Sequence, residues 1–310
     1  MLYVPNIGEL EMLRSILQTM EINLGLYKNS VLPDGNTITA TLVELATGGG
    51  RAYAPKILSP ALVESALAAD KWLLALNAQG KAEGQYHNAA LTWVMAQADV
   101  NDAATLYGAF AYIWVLPFDG GVTEIKPGDL IKGGDSGALA TVALVSLLSG
   151  TWGVDAAGVL FLKGKSGAWQ NDENILPNGK IATIAVNAGG ANYQVGDIVG
   201  ITQPGGAGAK AVVTTVNAGA VTSLVLVEGG QGYAVATSLA TTALTGAGTG
   251  LTVDISALST LTLAVSNSGT LNGGDAHKRL LFVDAFSEGY AIDTVGLTVE
   301  YTPKISLSTA

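Results

Sequence analysis

The strongest constraint on this chain is a tandem repeat with a period of 40 residues. Gly189-Gly190-Ala191-Asn192-Tyr193 recurs as Gly229-Gly230-Gln231-Gly232-Tyr233, Gly206-Ala207-Gly208 as Gly246-Ala247-Gly248, and Val213 as Val253. One copy therefore spans about 180–219 and the next about 220–259, with no gap between them. Self-similarity at this period marks a supersecondary unit stacked on its twin. Glycine, small side chains and β-formers make up the unit, the material of strands and tight turns. Such a unit packs and displays, and it carries almost no group able to do chemistry. These features point to a structural protein.

Composition agrees. Hydrophobic residues make up 49% of the 310 residues, yet aromatics only 6% and charged residues only 13%, about half the usual charged fraction. Either a large β core carries a Ser/Thr/Asn/Gly surface, or much surface is buried between subunits, as in obligate oligomers. Net charge is −10 with 15 Lys+Arg, so no basic stripe for nucleic acid is expected. Without cysteines there are neither disulfides nor thiolate metal sites. No apolar run reaches the length of a membrane span, and Met1-Leu2-Tyr3-Val4-Pro5 lacks the basic start of a signal peptide. The expectation is a soluble, non-secreted, mildly acidic protein.

The opening reads as a helix. Asn6 is a good N-cap, Glu9 can close a capping box, and Leu10, Leu13 and Leu17 recur at helical spacing beside Ile16 and Met20, with Glu11 and Arg14 facing away. This stripe either packs on its own domain or serves as a docking arm for a partner. From Glu21 the period becomes two: Ile22, Leu24 and Leu26 alternate with Asn23, Gly25 and Tyr27, as in a half-buried strand. Thr37 to Glu44, Leu73 to Leu76, Ala89 to Ala96 and Leu106 to Val115 read as strands. Ser59-Pro60 opens a short helix through Leu67. Beyond Val115 come short strands between Gly, Ser and Asp turns, including Gly128-Asp129-Leu130-Ile131, Ser136 to Val142 and Val159 to Leu162. Each repeat copy then supplies three strands. In the tail, Leu280 to Phe286 is a strand, Glu288-Gly289 a turn, and Leu297, Val299 and Tyr301 alternate.

At these residues the chain resembles virion structural proteins of tailed bacteriophages. Val4-Pro5-Asn6-Ile7-Gly8-Glu9 with Leu24-Gly25-Leu26-Tyr27-Lys28-Asn29 looks like the start of such a family, and Leu281 to Phe286 with Val299 to Leu307 looks like its closing strands. Simpler members run from a strand similar to Tyr107–Ile113 quickly into those closing strands, whereas here about 160 residues intervene. The interior resembles Gly-rich modules scattered through phage head and tail proteins. The resemblance implies a virion component and carries over no catalytic residue. It favours an insertion over three domains in series: a base domain of 1–115 plus 276–310, an inserted module at 116–177, and the repeat module at 178–275. Loop tips between neighbouring strands accept such insertions.

The search for chemistry is short. His87 and His277 lack metal-type neighbours. Gly134-Asp135-Ser136-Gly137 has the wrong spacing for a nucleophile elbow, and Gly205-Gly206-Ala207-Gly208 lacks the helix and Lys of a phosphate cradle. Asp99 with Asp102, or Asp284 with Glu288, offer paired carboxylates. Asp172-Glu173 and Asp129 offer oxygen ligands for Ca²⁺. Tyr107, Phe110, Tyr112 and Trp114 offer rings for a sugar, or a core. None of these outweighs its plainer role in turns or packing, so no catalytic, cofactor or metal site is assigned, and Leu10, Leu13 and Leu17 remain the candidate docking surface. The expectation is an all-β protein: a β-sandwich base domain with one short N-terminal amphipathic helix and an inserted Gly-rich β region. Its expected role is non-enzymatic capsid decoration, a homotrimer seated on the major capsid protein at the capsid surface after synthesis in the host cytoplasm. The competing expectation is a tail fibre or spike that binds host surface glycan. Neither nucleic acid nor membrane is an expected partner.

Overall fold

The computed structural model describes residues 6–34, 37–63, 71–87, 91–103, 105–266 and 278–306. The chain is all-β, with strands following one short N-terminal helix. Its first stretch holds α1 (Asn6–Thr19), β1 (Ile22–Tyr27), β2 (Lys56–Leu58), β3 (Leu62–Val63), β4 (Lys71–Leu76), β5 (Ala82–His87), β6 (Leu91–Val94), α2 (Gln97–Asp102) and the long β7 (Thr105–Gly121). Next come β8 (Leu130–Gly133), β9 (Leu139–Ser149), β10 (Ala156–Ser166) and β11 (Asn174–Pro177). The repeat supplies β12 (Ile181–Ala191), β13 (Ile198–Ile201) and β14 (Ala207–Asn217), then β15 (Ala220–Gln231), β16 (Ala236–Ala243) and β17 (Thr249–Leu258). The chain closes through β18 (Ala264–Ser266), β19 (Lys278–Ala291), β20 (Thr298–Tyr301) and β21 (Lys304–Ser306).

Contacts divide these elements into two compact units. The first is Met1–Pro117, Val159–Lys163 and Ser268–Ala310; the second is Phe118–Gly158 and Gly164–Asn267. The second unit holds the repeat together with most of the 116–177 region, of which Val159–Lys163 belongs to the first.

In the first unit, β7 is paired by β1 on one side and β19 on the other, both antiparallel, and β2 extends the sheet beyond β1. A second sheet runs β21-β5-β4-β3, and β20 pairs with β6. One core draws on both sheets and on α1: Leu13, Leu17, Leu24, Trp72, Tyr86, Trp93, Ala111 and Val115 are all in it. Gly84 of β5 lets the helix approach, since a Cβ there would lie 2.9 Å from Leu17 Cδ1. β1 departs from its expected half-buried pattern, because all six residues are buried. The opposite face of β1 and β7 is sealed by Leu42, which clusters with Tyr27, Phe110 and Tyr112, while Val31 packs alongside.

Other expectations fail locally. Within Thr37–Glu44 the chain makes a 3-10 turn at Thr39–Thr41 and a single bridge from Glu44 to Tyr27, not a strand. After Ser59-Pro60 the chain stays extended, with Leu62–Val63 paired parallel to β4; the remainder of that proposed helix lies outside the described residues. The Asn6 cap also rests on a side chain outside them.

The repeat forms one six-stranded sheet in the order β12-β17-β16-β13-β14-β15. Advancing each first-copy strand to its second-copy twin reverses this order onto itself, so the copies are related by a pseudo-two-fold axis between β13 and β16. Each copy gives its first strand to the other: β12 pairs with β17, and β15 with β14. The repeated glycines let the two end strands of this order, β12 and β15, approach each other closely. A Cβ on Gly189 would lie 2.5 Å from the Val221 carbonyl, and one on its twin Gly229 would lie 2.5 Å from the Ile181 carbonyl. Each repeated tyrosine plugs the other copy, Tyr233 against Gly206 and Tyr193 against Gly248. Tyr233 Oη also donates to the Ile201 carbonyl at 2.9 Å.

The turn that opens β13 recurs outside the repeat. Gly196 N and Val213 N donate to Val213 O and Asp197 O, both at 2.9 Å, while Asp197 Oδ2 accepts from Gln194 N at 2.9 Å. Gly128, Val142, Asp129 and Lys126 reproduce this pattern before β8, at 2.8, 2.9 and 2.7 Å. Gly-Asp followed by an apolar pair is thus a reusable strand opener, and the second repeat copy, with Thr237 in place of the Asp, lacks it.

Candidate functional site

Within the second unit, the glycine-rich ends of β14 and β15 leave a hollow because they carry no bulky side chains. Ala207, Gly208, Gly229 and Gly230 line one part of a cleft of about 630 Å³; the segment 123–130 with Pro177, Lys180 and Leu263 lines the rest. Gln231 ties the two parts together. Its Oε1 accepts from Leu130 N at 3.0 Å and its Nε2 donates to Gly128 O at 3.1 Å. Its twin in the first copy is Ala191, so this tie belongs to the second copy alone.

The acidic groups around the cleft are already engaged. Glu124 pairs with Lys126 at 3.2 Å, Glu228 with Lys210 at 3.1 Å, and Asp129 Oδ2 accepts from Lys126 N. Such a hollow is suited to binding through backbone groups.

The carboxylates singled out in the sequence are fasteners. Asp99, fully buried at the start of α2, accepts from Ala52 N at 2.9 Å, Tyr53 N at 3.2 Å and Ala96 N at 2.8 Å. Asp102 accepts from Ala46 N at 3.0 Å and pairs with Lys28 at 2.9 Å. Burial pushes the Asp102 carboxyl up, but these bonds and charges outweigh it and hold it below the usual range. Both carboxylates fasten the segment between Ala46 and Tyr53, Asp102 through Ala46 N and Arg51 and Asp99 through Ala52 N and Tyr53 N.

Glu173, only 1% exposed, binds both sides of a turn. It accepts from Asp135 N at 3.1 Å, Ser136 N at 2.9 Å, Ser136 Oγ at 2.8 Å and Gln170 N at 2.6 Å. Burial again pushes its carboxyl up, and again the donated hydrogen bonds prevail and lower it. The Gly134–Gly137 segment is therefore the turn that Glu173 holds. Among the described residues no group of three or more His, Cys, Asp or Glu is arranged to hold a metal ion, and Glu173 and Asp129 serve backbone N–H groups instead.

The remaining candidates divide as follows. Phe110, Tyr112 and Trp114 line one face of β7, the first two stacked at a centroid distance of 5.6 Å and the last two edge to face at 5.3 Å, with Phe110 and Tyr112 buried. Asp284 accepts from Tyr301 Oη at 3.0 Å. His87 lies in β5 with its side chain outside the described residues, as is all of His277. Gly206 N closes a tight turn on the Gln203 carbonyl at 3.0 Å. In α1, Leu13 and Leu17 are buried in the core of the first unit and Leu10 packs against it, partly buried.

A scan against protein-family models, a search of curated proteins and a search of solved structures each returned no match. No helix among the described residues is long and apolar enough to cross a membrane.

Proposed function

We propose that this chain is a non-enzymatic virion structural protein of a tailed bacteriophage, a decoration (cement) protein that binds the major capsid protein lattice and stabilises it as a homotrimer on the capsid surface. The observation that carries the structural part is how the carboxylates are used. Asp99, Asp102, Asp129 and Glu173 each accept hydrogen bonds from backbone N–H groups of loops. They fasten a scaffold. The virion part rests on the terminal sequence resemblance. Contact surface is available at the β9–β10 hairpin, where Leu147, Leu148 and Val154 are exposed; grouped apolar residues of this kind serve as contact sites.

Light scattering on the purified protein, with co-sedimentation on purified capsids, tests the proposal. The expected result is a trimer that saturates capsids at high copy number. A trimer that ignores capsids but joins tails at a few copies per particle would replace decoration by a glycan-binding fibre or spike. A monomer that binds no particle would overturn the virion role.

A further inference from the structure

Strand β19 contains an excursion. Ala285 pairs with Gly108 of β7 and Tyr290 pairs with Leu106, so residues 286–289 leave the ladder opposite Tyr107 alone. Gly289 is pressed against β7, where a Cβ would lie 2.5 Å from Thr105 Cγ2. The expected turn at Glu288-Gly289 is therefore a bulge inside a continuous strand. Bulges of this sort re-aim side chains and concentrate beside functional sites.

Here the bulge places Phe286 and Tyr290 along a cleft of about 380 Å³, whose other lining is Thr298, Val299 and Glu300 of β20. The volume suits a small ligand. Tyr290 is 43% exposed, far more than a ring committed to a core. Thr298 and Glu300 are alternate residues of one strand and share a face. Glu300 is the one charged residue of the lining among the described residues. Glu288 within the bulge adds a second negative charge on the neighbouring strand.

Two aromatic rings with a carboxylate form a receptor for an organic cation. The same unit already uses this combination on itself. Lys278 Nζ stands 4.7 Å from the Tyr112 ring centroid and 5.5 Å from that of Trp114, and lies 2.7 Å from Glu44 Oε2. At the β19–β20 cleft the rings and the carboxylate are present, and no lysine or arginine is among the lining residues.

We propose that this cleft binds an alkylammonium group, either a lysine side chain of a partner or a free small ammonium compound, with Tyr290 and Phe286 facing the cation and Glu300 balancing its charge. The proposal stands independently of the virion reading. Ligand-observed NMR titration of the full chain with Nα-acetyl-lysine amide, choline and methyl glucoside tests it. Saturable millimolar binding of an ammonium compound is expected, weakening as salt is raised. Preference for the lysine derivative assigns a partner's side chain, and preference for choline a free ligand. Tyr290→Ala and Glu300→Gln should each weaken binding about five-fold or more, with unchanged circular dichroism because both residues are exposed. Failure of both ammonium compounds to bind, equal binding of methyl glucoside, or unchanged affinity in both variants would overturn it.

Discussion

Glu173 shows how a single buried charge is made tolerable. An ionised carboxylate away from water is costly unless hydrogen bonds replace its hydration, and here Asp135, Ser136 and Gln170 supply them. Because its carboxyl is lowered in the folded chain, the unfolded chain takes up a proton first as pH falls. The stabilisation is complete above the ordinary glutamate range, about pH 4 to 5, and is lost as pH drops through the folded value. Glu173→Gln should cost about 2 kcal/mol at neutral pH and flatten the acid limb of stability, read by urea unfolding between about pH 6 and 3. An unchanged acid limb would assign the effect to other carboxylates, Asp102 first. A second residue-scale expectation concerns the tyrosine plugs. A Cβ on Gly206 would lie 2.6 Å from the Tyr233 ring, so Gly206→Ala should destabilise the repeat by about 1–3 kcal/mol through overpacking, measurable by thermal melting. Both glycine and tyrosine were visible in the sequence as repeated letters. That each tyrosine fills the other copy was not, because a period reports similarity and says nothing of which strands exchange. Glu173 was equally hard to read, since its partners Asp135 and Ser136 lie far from it in sequence.

At the scale of elements, the helix α1 was legible from its leucine spacing, and its stripe packs in the core of the first unit. Leu17→Ala should remove core contacts and cost about 3 kcal/mol. Met12→Ala on the 54% exposed flank should change stability by less than about 0.5 kcal/mol. Denaturant midpoints of the two variants check this, and a neutral Leu17→Ala would favour the docking-arm idea. Strands with strong alternation or long apolar runs, such as β4 and β7, were legible for the same reason. β1 misled because Asn23 and Gly25 look like solvent positions, whereas Leu42 and the aromatic face of β7 bury them. β5 went unseen because Ala82, Gly84 and Tyr86 form its buried face, and a glycine under a helix looks like a turn in a linear string. α2 is short and polar, held by Asp99 more than by any apolar periodicity. The Glu288-Gly289 bulge carries the composition of a turn, and only its pairing with β7 distinguishes the two.

At the scale of the molecule, the chain enters the second unit after Pro117 and leaves it at Asn267, but returns for Val159–Lys163, whose Val159 is buried in the first core. Excising 118–267 therefore removes those core residues too. The remnant should keep β-rich circular dichroism and unfold at a lower urea midpoint than the first unit of the intact chain, whereas complete loss of structure would mean that the first unit cannot form without the excised residues. Texture changes near Val115 and in the tail made an interruption legible; the brief return did not stand out, because its apolar residues resemble any short strand. The strand exchange within the repeat has a consequence for how such a module can be carried about and pulled upon. Ile181 and Leu258 are register partners, and Ser259 N donates to Lys180 O at 2.7 Å. Entry and exit are thus neighbouring strands, separated by only about 5 Å. A module with so narrow a neck can be spliced into a host loop without spreading it. Tension along the flanking chain would reach β12 and β17 at their paired ends and load their bonds one after another, beginning at the neck.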